Sequence, residues 1–136
     1  MQKERISDDI YVFTSELYAQ VTAGAVVGAD GTALIDTLPF PSETRQIRDF
    51  VEKRLGSRVR YVINTHYHSD HTNGNYLFPE AEVIGHWQTR EKLSTIGVAA
   101  LEKAKPQMPE LAEIDVRLPT IPVSYTHLTL PTSDLV

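Results

Sequence analysis

Apolar and small residues run through "VTAGAVVGADGTALIDT", interrupted once at Ala29, Asp30 and Gly31. This predicts a hairpin of two strands, Val21 to Val27 and Thr32 to Ile35, with Asp-Gly as the turn signal. Ile10 to Phe13 is a short β-prone run ahead of it. Pro39 and Pro41 then break the chain. A helix is expected after them, with Ser42 as N-cap, Glu43 at its positive start, and Lys53 and Arg54 at its end before Gly56. Ile47, Phe50, Val51 and Leu55 fall at helical spacing and give that helix one apolar face. "RVRYVINT" predicts a strand with Val59, Tyr61 and Ile63 on one face and Val62 on the other, apolar enough on both for an internal position. Further on, the pattern gives a short helix from Asp70 to Phe78, stopped by Pro79, and a small strand from Glu82 to Gly85. "WQTREKLSTI" predicts a helix, and Val98 to Lys105 another, ending near Pro106. Val116 to Leu118 is expected to open a last strand. Hairpin strands followed by βαβα predict an α/β arrangement, a sheet with helices on its outer face.

Composition narrows the function. At 136 residues the chain is one domain or part of one. Hydrophobic residues at 41% and charged residues at 23% suit an ordinary globular protein. The net charge of −5 comes without a basic stripe, so neither nucleic acid nor an anionic membrane is expected as partner, and a small-molecule substrate is. The start, "MQKERISDDIYVF", has no apolar signal region, and no apolar run reaches membrane-spanning length, so a cytoplasmic location is expected. No feature specifies an oligomeric state. There is no cysteine, so any metal site must use nitrogen and oxygen ligands.

Those ligands are concentrated in "INTHYHSDHTNGN", which holds His66, His68 and His71 out of five histidines, with Asp70 among them. If the extended backbone continues past the strand, His66 and His68 project to the same side and can meet one cation. Asp70 and His71 follow a turn at Ser69 and can address the same ion or a second one beside it. Nitrogen with carboxylate and no thiolate suits Zn2+, one or two ions, with iron or manganese as other choices. Two adjacent ions point to hydrolysis by a metal-activated water. Gly74 is read as a close approach of the turn to the site. His86, at a strand end, is read as a polar or capping residue before a ligand, and Trp87 and Tyr76 as core or pocket wall.

"THYHSDHTNG" resembles the HxHxDH signature of the metallo-β-lactamase-fold hydrolases, and "GAVVGADGTALIDT" resembles that family's second strand pair. The resemblance runs from about Ile10 to Ile121. It implies the N-terminal half of a four-layer αββα sandwich, with His66 and His68 on a first metal and Asp70 and His71 on a second. Asp70 would also orient the nucleophilic water and is the implied catalytic residue. Asp36 matches the family's acidic residue after its third strand and would act behind the ligands. Tyr18 and Gln20 lie in a loop that, in this family, overhangs the metals. The implied activity is hydrolysis of a small ester, thioester, lactone or β-lactam. The alternative is a non-hydrolytic metal-binding or diiron redox module of the same fold, which carries an acidic residue inside the motif where this chain has Tyr67 or His68. The family's third histidine, bridging aspartate and final histidine have no match here, since His127 in "SYTHLTLPTS" lacks the glycine-histidine context. From Pro122 the sequence resembles the translation of a transposon end joined to a sequencing adapter. The expected organisation is therefore a partial domain over 1–121 and a non-native tail over 122–136, the chain alone being inactive.

Overall fold

Ala29 and Asp30 form a two-residue connection between β3 (Thr22–Gly28) and β4 (Gly31–Ile35), which pair antiparallel from Gly28 opposite Gly31 to Gly24 opposite Ile35. Around this hairpin the computed structural model, which describes residues 1–124, builds one seven-stranded sheet with its strands in sequence order. The first four strands are antiparallel neighbours, and the last three continue in parallel.

The edge strand β1 (Gln2–Ser7) was not expected. All six of its residues are exposed, so it has no apolar alternation to announce it. It pairs with β2 (Ile10–Thr14) and adds polar cover instead of core. Lys3 places its ammonium 5.0 Å from the centre of the Phe50 ring, and Arg5 lies 5.9 Å from that of Tyr11, so their stems shield apolar surface while the charges stay wet.

Helix α1 spans Pro41–Asp49, and its cap is Phe40, not Ser42. Proline at the first helical position needs no N–H donor and has its φ preset, while the residue before proline is pushed to extended backbone. Phe40 has that conformation, at φ −109° and ψ 128°. The helix widens into a π-helical segment over Phe50–Arg54 before Gly56 turns the chain at φ 63°.

Strand β5 (Val59–Ile63) lies parallel to β4, with a bulge at Arg60: Thr32 pairs with Val59, but the next residue, Ala33, pairs with Tyr61. The extra residue overturns the expected facing. Val59 and Val62 are both buried against the helices, while Tyr61 is 42% exposed. The bulge keeps both valines in the core.

The buried face carries Phe13, Ala25, Leu34, Val62 and Val83, packed with Ile47 and Val51. The opposite face carries Val26, Ala33, Ile35, Tyr61 and Ile63, followed by Ile84 and Ile121, and remains partly or fully open. No second sheet covers it among the described residues. This is one α-on-β half of the expected sandwich.

After β5 come a short helix, α2 (Ser69–Thr72), a 3-10 turn over Asn73–Leu77, and strand β6 (Glu82–His86). Helices α3 (Trp87–Lys92) and α4 (Val98–Ala104) are joined by π-helical winding over Leu93–Gly97. Leu101, Leu111, Ile114 and Phe40 form a second small core. The strand expected at Val116 to Leu118 does not form. Its Arg117 instead donates to the carbonyls of Phe78 and Ala81, both at 2.8 Å. Strand β7 (Ile121–Val123) follows and pairs with β6. The expected foreign tail thus begins within β7, and from residue 125 it lies outside the described residues, as does His127.

Candidate metal centre

Parallel pairing of β4 and β5 aligns Ile35 with Ile63, so Asp36 and the Asn64–Thr65 pair leave the sheet side by side at its carboxyl edge. That edge is where parallel sheets commonly place their sites. Asp36 donates its N–H to the Ile63 carbonyl at 2.9 Å. Asp36 and Leu38 both take left-handed backbone, at φ 62° and 69°, which turns the chain sharply. A carboxylate residue tolerates that conformation, whereas the fully buried Leu38 is held there by packing.

Asp36 is buried and its carboxylate is saturated with donors. One oxygen accepts from the Thr65 N–H at 2.8 Å, and the other accepts from the Thr65 hydroxyl at 2.7 Å. That second oxygen also meets His71 Nδ1 at 2.7 Å. An ionised carboxylate only accepts, so His71 carries its proton on Nδ1. The Thr65 hydroxyl spends its single proton on Asp36 and must therefore accept from His66 Nδ1, 2.8 Å away. The network thus assigns both imidazoles the Nδ1–H tautomer and leaves both Nε2 lone pairs for a ligand. Asp36 reaches one histidine directly and the other through Thr65.

His66, His68 and Asp70 bring one donor atom each within 4.8 Å of one another, and Asp36, His66 and His71 do the same. The His66 and His68 rings are 4.8 Å apart, and those of His66 and His71 are 4.2 Å apart. His71 Nε2 lies 3.5 Å from an Asp70 oxygen. The four residues of the motif therefore converge. They do so from a bend, since β5 stops at Ile63 and not at the first histidine. Burial, with repulsion from His71 and His68, holds the His66 pKa below the usual imidazole range despite Asp36 and Asp70, which favours the neutral ligand form. Neutral imidazole nitrogen and carboxylate oxygen without sulfur fit a zinc ion.

Gly74 fixes the depth of the motif. A Cβ there would fall 2.4 Å from the Thr37 carbonyl and 2.6 Å from a Thr44 methyl. Gly74→Ala is therefore expected to destabilise the chain by about 1–3 kcal/mol, the usual cost of overpacking, because the nearest obstacle is backbone. Urea unfolding midpoints measure this, and an unchanged midpoint would show that the turn can slide outward freely.

Asn64, Asn75 and Thr37 were missed by the sequence reading. Asn64 and Asn75 are fully buried and exchange reciprocal amide bonds at 3.1 and 2.8 Å. Asn75 also accepts from the Thr37 hydroxyl and donates to the Arg117 carbonyl, each at 3.1 Å. The one available signal was a buried-looking asparagine directly after an apolar strand. His86 caps α3, its Nδ1 accepting from the Gln88 N–H at 3.1 Å, and belongs to neither ligand group. Tyr18 lines a cleft with His68 and Asp70, and Trp87 is exposed.

A buried glutamate secures the Tyr18 loop. Glu43 on α1 accepts from the Ser15 hydroxyl at 2.5 Å and from the Glu16 N–H at 2.9 Å. Ser15 Oγ in turn accepts from the N–H groups of Leu17 and Tyr18.

Comparison with known proteins gives the family and the fold. The model of the metallo-beta-lactamase superfamily matches residues 18–133, and the chain belongs to that superfamily. Among solved structures, a metallo beta lactamase from Hirschia baltica is 15% identical with a TM-score of 0.66, over 90% of this chain and 52% of its own. One from Pontibacter korlensis is 18% identical with a TM-score of 0.65, over 90% and 52%. The FIM-1 enzyme of Pseudomonas aeruginosa, solved in a mono-zinc form, is 15% identical with a TM-score of 0.61, over 90% and 50%. At such identities the likeness concerns the fold. The chain spans about half the length of these proteins. No helix among the described residues is long and apolar enough to cross a membrane.

Proposed function

We propose that this chain carries the metal-binding motif of a dizinc hydrolase acting on a small-molecule ester, thioester, lactone or β-lactam. The observation that supports it best is the convergence of His66, His68, Asp70 and His71, with the His66 and His71 ring protons engaged on Nδ1 by Thr65 and Asp36 and His71 Nε2 facing Asp70. His66 and His68 hold one ion, and Asp70 and His71 a second. A zinc pair supplies Lewis acidity there, making water acidic and polarising a carbonyl. Asp70, an acceptor-only carboxylate at the mouth, orients the proton of the attacking water. Asp36 acts behind His66 and His71 and touches no substrate.

By itself the 136-residue chain is expected not to turn over. Four donors divided between two ions leave each short of the protein ligands a zinc site ordinarily has. Weakly held metal also returns little stability to the fold. Zinc titration of the purified chain tests the assignment. His68→Ala is expected to lose the first ion and Asp70→Asn to weaken the second, with the circular dichroism spectrum unchanged. Equal metal content in both variants and the parent would overturn the ligand roles. Tight, selective binding of paired iron in place of zinc would favour the redox alternative. Multiple turnover of a lactam, lactone or thioester by the chain alone, abolished in His68→Ala, would overturn the expected inactivity.

A further inference from the structure

The ligand cluster opens on two sides, and the two sides differ in chemistry. One cleft, of about 400 Å³, is lined by Tyr18, Tyr67, His68, Asp70, Ile96 and Ala100. The other, of about 330 Å³, is lined by His66, Tyr67, His86, Gln88, Thr89 and Lys92. Tyr67 is the wall they share. Away from the donors, the first side offers Tyr18, Ile96, Gly97 and Ala100 with the Ser69 hydroxyl and no charge, and the second offers amide and hydroxyl groups with the Lys92 ammonium.

We propose that Lys92 and Tyr67 form a subsite for an organic carboxylate beside the metal centre, so that the substrate is an amphiphile with its acid group toward Lys92 and its apolar part toward Ile96 and Tyr18. The Lys92 ammonium lies 5.4 Å from the centre of the Tyr67 ring. A cation held over an aromatic face stays available to an anion on its open side. Its helix leaves it without a counter-charge. The residues three and four positions away are Gln88, Thr89, Thr95 and Ile96, none acidic, and Glu91 occupies a different face. Lys92 takes part in none of the ion pairs among the described residues. In a chain of net charge −5, a lysine left unpaired next to the ligand His66 gives a local attraction opposite in sign to the whole.

The proposal rests on the hydrolase reading for the word substrate, and its test is separable from that reading because it measures binding. Zinc-loaded, 15N-labelled chain is titrated with 3-phenylpropionate and with 3-phenylpropionamide, which share the ring and differ in charge. Both probes are expected to shift the amides of Ile96 and Ala100, and the acid alone those of Gln88, Thr89 and Lys92. Lys92→Gln should weaken the acid about fivefold, the upper range for an exposed ion pair, and leave the amide unchanged, while Lys92→Arg should keep the preference. The spectrum of each variant reports its fold directly. Undiminished acid binding in Lys92→Gln would mean that the metal alone takes the carboxylate and would overturn the subsite. Absence of saturable shifts with either probe would do the same. A Lys92-dependent preference in a chain whose zinc content is unchanged by His68→Ala and Asp70→Asn would overturn the hydrolase reading and leave the subsite standing.

Discussion

Asp36→Asn is expected to weaken zinc binding by about 10- to 100-fold, the range seen when a group behind metal-bound histidines is lost, while the fold survives. The asparagine oxygen can keep the Thr65 N–H bond, and the left-handed backbone suits asparagine as well as aspartate. Its NH2 then replaces the oxygen that served the Thr65 hydroxyl and His71. A donor in that place makes His71 Nδ1 an acceptor and turns the Thr65 proton toward His66 Nδ1. Both rings would then carry hydrogen on Nε2, where the ion must sit. The flipped amide offers no escape, since it sets NH2 against the Thr65 N–H. A competition titration with a chromophoric chelator gives the affinity, and imidazole 15N shifts of the metal-free chain give the tautomers. Parent-like affinity with both protons moved to Nε2 would show that the tautomer does not govern binding. Parent-like tautomers would refute the relay through Thr65.

Asn75→Ala should be the most damaging single change to stability, at about 3 kcal/mol or more. Truncation removes four hydrogen bonds and leaves the Asn64 amide and the Arg117 carbonyl without this partner, while the Thr37 hydroxyl keeps the His71 carbonyl at 3.2 Å. Each buried polar group so orphaned costs about 1–3 kcal/mol. Removing both amides orphans less, so the double variant Asn64→Ala/Asn75→Ala should cost clearly less than the sum of the singles. Denaturant unfolding of the four chains reads the coupling. Additive costs, or a loss under about 1 kcal/mol for Asn75→Ala, would show that water repairs the gap.

The parts of this protein legible in its sequence are those where neighbouring residues decide the outcome. The Ala29–Gly31 hairpin, the β5 strand and the histidine motif are local, and so is the need for glycine at position 74 beside a tight turn. Asp36 was reached only through the resemblance of the strand pair that ends in it to the family's. What could not be read depends on partners far along the chain. Strand β1 has no apolar alternation and exists because β2 offers it an edge. The bulge at Arg60 shows only when β4 and β5 are registered against each other, so Val59 and Val62 were expected on opposite faces and both lie on the buried one. Ser42 was favoured as a cap by its side chain, but the backbone restriction imposed by Pro41 moved the helix start to Phe40. Thr65 and the Asn64–Asn75 pair act through bonds spanning 29 and 11 positions, beyond any local pattern.

The strand order has a consequence for how the protein is made. Each strand pairs with the one synthesised just before it, so no pairing in the sheet waits for a strand beyond the next. The short connections of β1 to β4 favour fast assembly of that part. Asp36, Thr65, the four donor residues, Gly74 and Asn75 all precede β6 in the chain. A nascent chain folding from its N-terminal side can therefore bring these donors together as soon as they clear the ribosome, ahead of the segments made later.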